Sequence, residues 1–121
     1  MSETVVVLGA SPKPERYSWQ AVNLLAEHGH RVLPVNPYHR EVAGIQCVAS
    51  VADVSERVDT VSVYVRAELL GKDLAKLIAL APRRVIFNPG TESGLLADQL
   101  EKSGIATEEA CTLVLLSTGQ Y

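Results

Sequence analysis

The stretch Val5-Val6-Val7-Leu8-Gly9-Ala10-Ser11-Pro12-Lys13-Pro14-Glu15-Arg16-Tyr17-Ser18 decides the fold. Its valine-rich start predicts a strand that is covered on both faces, because apolar side chains occupy consecutive positions. Gly9 ends this strand, and a polar loop leads to a helix for which Ser18 is the expected N-cap. A strand that turns at glycine into a helix presents unpaired N–H groups and a partial positive charge, which attract phosphate.

The rest of the chain alternates predicted strands with predicted helices. The strands are expected at 4–8, 31–37, 45–48, 59–65 and 84–87, with a last one beginning at 105–107. The helices are expected at 18–28, 67–81 and 92–103, with one helical turn at 50–54, and 112–116 stays open between strand and helix. This alternation predicts one α/β domain over 1–121, a Rossmann-like three-layer sandwich with a mostly parallel five- or six-stranded sheet.

Four residues in or beside these elements have an expected position in the fold. Pro34 lacks an N–H, so its strand is expected at an edge of the sheet or near the strand end. Leu69 and Leu95 are expected to face the core from their helices, and Thr91 is the ordinary candidate for a helix cap.

Composition narrows the class of function. The chain has 121 residues and a net charge of -3, whereas a general nucleic-acid binder would carry a basic surface. Cys47 and Cys111 lie far apart without metal-ligand spacing, so we expect two reduced thiols and no metal site. No signal peptide or membrane span is predicted, which favours a cytoplasmic protein without a membrane partner.

Ligands of parallel sheets bind beyond the C-terminal ends of the strands, and four segments end there. They are 9–18, 36–40, 64–66 and 88–92. The candidate binding residues that they supply are Gly9, Ala10, Ser11, Lys13, Arg16, Ser18, Asn36, Pro37, Arg40, Val65, Arg66, Asn88, Pro89 and Gly90. No nucleophile and base are paired among them, so no catalytic residue is predicted.

The first two of these loops help to choose a ligand. In the dinucleotide fingerprint, Ser11 and Pro14 stand where the second and third glycines belong, which disfavours an ordinary NAD site. Asn36 stands where an acidic residue would hold the adenosine ribose, and asparagine tolerates a phosphate on that ribose. His39 and Arg40 follow closely and are candidates to face it. Coenzyme A is therefore favoured, with NADP as the weaker option.

A family resemblance agrees with this choice. Gly9-Ala10-Ser11, Val35-Asn36-Pro37, Asn88-Pro89-Gly90 and Ala110-Cys111-Thr112 together resemble small stand-alone CoA-binding domain proteins and the N-terminal domain of the succinyl-CoA synthetase alpha subunit. The resemblance implies a Rossmann-type fold, phosphate contacts from the first loop and adenosine contacts after the second strand. It implies binding without ligation, because the synthetase's second domain and catalytic histidine segment have no counterpart here.

Three interpretations thus stand at this stage. The first is a module that binds coenzyme A or an acyl-CoA without catalysis. The second is an NAD(P)-binding enzyme or redox sensor, and the third is an interaction subunit with a vestigial groove. The apolar C-terminal segment also leaves a homodimer open, since the edges of a small sheet need covering.

Overall fold

The computed structural model describes residues 2–121. The strands are β1 (Thr4–Leu8), β2 (Arg31–Val35), β3 (Glu41–Val42), β4 (Ile45–Gln46), β5 (Thr60–Val63), β6 (Arg84–Phe87) and β7 (Ala106–Glu109). The helices are α1 (Tyr17–Glu27), α2 (Ala67–Lys72), α3 (Leu74–Leu80), α4 (Gly94–Lys102) and α5 (Thr112–Ser117), with a 3₁₀ turn at Val51–Asp53. None of these helices is both long and apolar enough to cross a membrane.

The main sheet has five strands in the order β2-β1-β5-β6-β7, and every neighbouring pair is parallel. This confirms the predicted Rossmann-like α/β fold. The chain leaves β1 through α1 toward one side and later fills the other side of β1 with β5. Such a reversal is the point at which open α/β sheets bind ligands.

Helices cover both faces of the sheet, as the consecutive apolar residues of β1 require. Val6 and Leu8 pack in a cluster with α2, α3 and α4, whereas Val5 and Val7 pack with α1 and α5. The three valines of β1 are fully buried. The resulting three layers hold the loops after β1, β2 and β5 rigidly at one edge.

Pro34 lies in β2, which is an edge strand, as expected. The Val48 N–H donates to the Pro34 carbonyl at 2.8 Å, and the Asn36 N–H donates to the Val48 carbonyl at 3.0 Å. The backbone groups of one strand residue point the same way, so the missing N–H of Pro34 faces this outer side. The missing N–H therefore removes no hydrogen bond between β2 and β1.

Two elements differ from the prediction. Within the segment 45–48, Val48 alone pairs with the main sheet, through an isolated parallel bridge to Val35, whereas Ile45–Gln46 pairs antiparallel with Glu41–Val42 in a small hairpin. The helix expected over 67–81 is two helices that meet at Asp73. Glycine and aspartate are weak helix formers, which is consistent with a break beside Gly71.

Two predicted caps and two predicted core positions were also wrong. Ser18 lies within the first turn of α1, whose N-cap is Arg16, and Ser93 rather than Thr91 caps α4. Leu69 is 42% exposed and Leu95 is 68% exposed. The helical period shows which residues share a face, but it does not show which face is buried. A helix that is shorter than predicted, or rotated about its axis, buries a different face. The open segment 112–116 is helical in α5.

A polar cluster closes the opposite edge of the sheet, where the strands begin. The Glu3 N–H donates to His30 Nδ1 at 3.0 Å, and Thr60 Oγ1 donates to Glu3 Oε1 at 2.8 Å. The Arg84 guanidinium lies 4.6 Å from the Tyr121 ring centre, which places the C-terminal residue against the same cluster. These contacts tie β1, β2, β5 and β6 together far from the candidate ligand edge.

His30 makes the stability of this cluster depend on pH. Burial lowers the pKa of His30 below 6.5 and the positive charge of His28 adds to this, while the Glu3 carboxylate opposes it. The unfolded chain therefore binds more protons, and the stabilisation is complete above pH 6.5 and lost as pH falls through the folded pKa. We expect the melting temperature of the wild type to fall between about pH 7.5 and about pH 5.

The His30→Gln variant should show a smaller melting-temperature difference between the same two pH values, measured by circular dichroism. His39→Gln is the control, because His39 is an exposed histidine beyond the opposite edge of the sheet. An equal pH response in the His30→Gln variant and the wild type would contradict the assignment.

Candidate ligand-binding groove

A groove of about 900 Å³ lies across the C-terminal ends of β1, β2 and β5. Its volume falls within the range of sites that enclose a cofactor-sized molecule. Of the predicted site residues, nine line it: Gly9, Ala10, Ser11, Lys13, Arg16, Ser18, Asn36, Pro37 and Val65. The loops after the first, second and fifth strands thus meet as the parallel topology predicts.

Gly9 allows the first loop to pass tightly over the neighbouring strand end. Its φ is +88°, a conformation that L side chains rarely adopt. A Cβ atom at this position would lie 2.6 Å from Val65 Cγ1 and 3.2 Å from the Tyr64 carbonyl carbon. Glycine is therefore needed for two separate reasons, conformation and space.

Asn36 joins the first loop to the second. Its Nδ2 donates to the Ala10 carbonyl at 2.6 Å, and its Oδ1 accepts the Tyr38 N–H at 2.7 Å. Both polar atoms of the amide that stands in the place of the ribose-binding acid are thus bonded to the protein. The structure indicates that Asn36 shapes the groove by fixing the two loops relative to each other.

The loop after β1 is held by its own polar groups. The Ser11 N–H donates to Ser18 Oγ at 3.0 Å, and the Lys13 N–H donates to Ser11 Oγ at 3.2 Å. Ser18 is 4% exposed, so its hydroxyl supports the loop from beneath instead of capping α1. The N-terminus of α1 has no side-chain cap, which leaves first-turn N–H groups free to meet an anion.

Positive charge lines two sides of the groove. Lys13 and Arg16 belong to the first loop, and Lys72 and Lys76 come from α2 and α3. Lys76 pairs with Asp73 at 3.6 Å. Among residues 2–121, the other three cations of the groove form no ion pair. The groove is therefore basic, although the chain as a whole has a net charge of -3.

The remaining predicted site residues do not line the groove: Arg40, Arg66, Asn88, Pro89 and Gly90. Asn88 is 1% exposed and lies in the core. Its amide donates to Ser62 Oγ at 2.9 Å and to the Val63 carbonyl at 2.8 Å, and it accepts the Thr112 N–H at 2.9 Å. This asparagine joins β5, β6 and α5, which corrects its placement at the ligand edge.

Glu92 also has a local task in the same loop. Its Oε1 accepts the Gly90 N–H at 2.9 Å, which fixes the turn ahead of Ser93, the α4 cap.

Tyr64, by contrast, lines the groove. Burial, with the nearby Cys111 thiol, raises the pKa of Tyr64 to about 12, so its phenol stays neutral at physiological pH.

Sequence reasoning missed several groove residues that lie outside the four expected segments: Ser50, Leu69, Lys72 and Lys76. Tyr38 and Tyr64 lie within the expected segments 36–40 and 64–66 but were not among the candidate binding residues. Leu69 faces the groove because α2 ends soon after it. The prediction assumed one continuous helix over 67–81, whose period placed Leu69 on the buried face. Tyr17 and Tyr38 are 71% and 87% exposed, and both lie at the groove. Exposed aromatic residues beside a cleft are a signal for a planar ligand group.

A parallel α/β sheet with a groove at its switch point is the class of α/β domain that binds ligands beyond the carboxyl ends of its strands. The chain belongs to the CoA binding domain family, whose sequence profile matches residues 3–117. The family resemblance seen in the sequence is thereby confirmed.

Individual relatives agree with this family. A Bacillus subtilis protein named YneT is 32% identical over 69 residues, which make up 57% of this chain and 51% of YneT. An ADP-forming acetate–CoA ligase of Archaeoglobus fulgidus is 34% identical over 70 residues, or 58% of this chain and 10% of the ligase. The matches thus span about half of one relative and a tenth of the other.

A solved crystal structure of an uncharacterized protein is similar over the whole chain. It superposes with a TM-score of 0.94 at 37% identity, covering 100% of this chain and 99% of the other. The arrangement of five parallel strands and flanking helices is therefore shared by a protein of nearly equal length.

Proposed function

We propose that this chain binds coenzyme A, free or as an acyl-CoA, with the diphosphate on the loop after β1. The observation that carries the proposal is the uncapped α1 N-terminus beside Lys13 and Arg16, at the switch point of a CoA binding domain. Backbone N–H groups, the helix dipole and two cations favour a diphosphate at this place.

The rest of the groove matches the other parts of coenzyme A. Pro37 and Tyr38 follow β2, where the adenosine end of a nucleotide lies in folds of this kind. Val65 and Leu69 provide apolar surface for a flexible pantetheine arm. The ligase relative has CoA in its name, which supports the choice of ligand. Since only 10% of that ligase is matched, the proposal is one of binding and not of ligation.

The direct test is isothermal titration of the wild-type chain with CoA and with NADP. We expect CoA to bind more tightly and to raise the melting temperature, because a ligand selective for the folded state stabilises it. The Lys13→Ala/Arg16→Ala variant should bind CoA about tenfold to a hundredfold more weakly, since contacts between charged groups are lost. Binding of NADP without binding of CoA would replace this proposal by the nicotinamide interpretation.

A matched control removes the same charge elsewhere. Arg57 and Lys102 are exposed, and neither lines the groove, so the Arg57→Ala/Lys102→Ala variant should keep wild-type affinity. Affinity of the wild type should also fall as salt rises, because salt screens contacts between exposed charges and phosphate. An equal loss of affinity in both double variants would mean that net charge, and not the loop, governs binding.

A further inference from the structure

Coenzyme A carries an anionic group besides its diphosphate, the phosphate on the 3′ carbon of its adenosine ribose. From sequence, His39 and Arg40 were the candidates for a ribose phosphate. In the structure Arg40 is exposed and does not line the groove, whereas His39, Lys72 and Lys76 do. The lysines available for a second phosphate therefore come from α2 and α3.

We propose that Lys72 and Lys76 bind the 3′-phosphate and make this chain selective for CoA over dephospho-CoA. The inference rests on the proposed function, since it divides the anionic groups of one ligand between two sides of one groove. Lys13 and Arg16 serve the diphosphate, and the lysine pair serves the phosphate on the ribose.

The fold places the lysine pair at the adenosine side. α3 packs against the 3₁₀ turn Val51–Asp53, and this turn directly follows Ser50, which lines the groove. The same segment is bonded to β2 through Val48, whose N–H and carbonyl pair with Pro34 and Asn36. Lys72 and Lys76 thus stand beside the segments that border the end of β2, where the adenosine is expected.

The break between α2 and α3 sets the two lysines in this position. Lys72 is the last residue of α2, and Lys76 lies in the first turn of α3. The short helices bring both lysines to the groove together with Leu69. A single continuous helix was expected to place Leu69 in the core. The break between α2 and α3 therefore places positive charge on one side of the groove.

The charges suit a phosphate that carries two negative charges. Asp73 is the acidic residue among the groove residues, and it pairs with Lys76 at 3.6 Å with both side chains partly exposed. Such a pair is weak, so Lys76 can turn to a phosphate at little cost. A phosphate monoester carries about −1.5 to −2 charges near pH 7, and two flexible lysines balance it well.

The test compares CoA with dephospho-CoA on the full chain by isothermal titration. The wild type should bind CoA about tenfold or more tightly than dephospho-CoA. In the Lys72→Gln/Lys76→Gln variant most of this preference should vanish, because CoA weakens while dephospho-CoA keeps its wild-type affinity. The single Lys72→Gln variant should lose part of the preference.

Two controls keep the outcome specific. The Arg57→Gln/Lys102→Gln variant makes the same change in net charge away from the groove and should retain the preference. The Lys13→Ala/Arg16→Ala variant should weaken both ligands by a similar factor, since both contain the diphosphate.

The possible contrary results are distinct. A wild type that binds both ligands equally, or a lysine-pair variant that keeps its preference, would overturn the inference and leave the proposed function standing. A wild type that binds neither ligand would overturn the proposed function and this inference with it.

Discussion

Replacing Asn88 with alanine should lower the free energy of unfolding by about 3–5 kcal/mol, the largest effect expected from a polar substitution in this chain. Its amide makes three hydrogen bonds, to Ser62, Val63 and Thr112, at distances of 2.8 to 2.9 Å. Alanine removes the partner of the buried Thr112 N–H and a donor to the Val63 carbonyl. Ser62 keeps one partner, because its hydroxyl also bonds Thr112 Oγ1 at 2.8 Å.

Chemical denaturation monitored by circular dichroism measures this change. Asn23→Ala is a matched control, because Asn23 lies in α1 and its side-chain amide donates a hydrogen bond of 3.3 Å to Glu27 Oε1 at an exposed position. That control should change the free energy of unfolding by less than about 0.5 kcal/mol. A loss below about 1 kcal/mol for Asn88→Ala would show that the buried amide is not what joins β5, β6 and α5.

Alanine at Gly9 should destabilise the chain by about 2–5 kcal/mol and weaken CoA binding as well. The φ of +88° contributes about 1–2 kcal/mol of backbone strain for any residue with a Cβ. The contact of 2.6 Å with Val65 Cγ1 then forces atoms apart, which costs about 1–3 kcal/mol more in a packed site. Because Gly9 starts the loop that is proposed to hold the diphosphate, a displaced loop should also bind less tightly.

A second glycine separates the two causes. Gly90 has a φ of +91°, but a Cβ at this position would have no atom within 4 Å. Gly90→Ala should therefore cost only the backbone strain, about 1–2 kcal/mol. Adding Val65→Ala to Gly9→Ala should recover part of the extra loss by giving the new Cβ room. Equal losses at Gly9 and Gly90 would mean that close approach to Val65 does not matter.

The order of elements was largely readable from the sequence because it depends on local patterns. The apolar run Val5–Leu8 predicted a doubly covered strand, and the helices expected at 18–28 and 92–103 are present as α1 and α4 with bounds that differ by one or two residues. Pro34 predicted an edge because its missing N–H limits where a strand pairs. These signals lie within a few residues of the feature that they predict.

The errors fall where distant segments decide the outcome. Asn88 is a polar residue after a strand, and the sequence does not reveal that Ser62 and Thr112 lie close enough to use its amide. Asn36 lies at the groove as expected, but its Nδ2 is bonded to the Ala10 carbonyl, which the sequence does not reveal. Ser62, Thr112 and Ala10 come near these two amides only through folding.

The sequence by itself determined the class of fold, and it predicted a first loop that attracts phosphate and a preference for coenzyme A over an ordinary nicotinamide dinucleotide. Those inferences follow from periodicity, from Gly9 and from the residue types at fixed positions. Only the tertiary structure decided that Lys72 and Lys76 line the groove and that Arg40 does not. The physical reason is that a lysine on a helix surface looks the same in sequence whether it faces solvent or a groove, until α3 packs against the segment after β2.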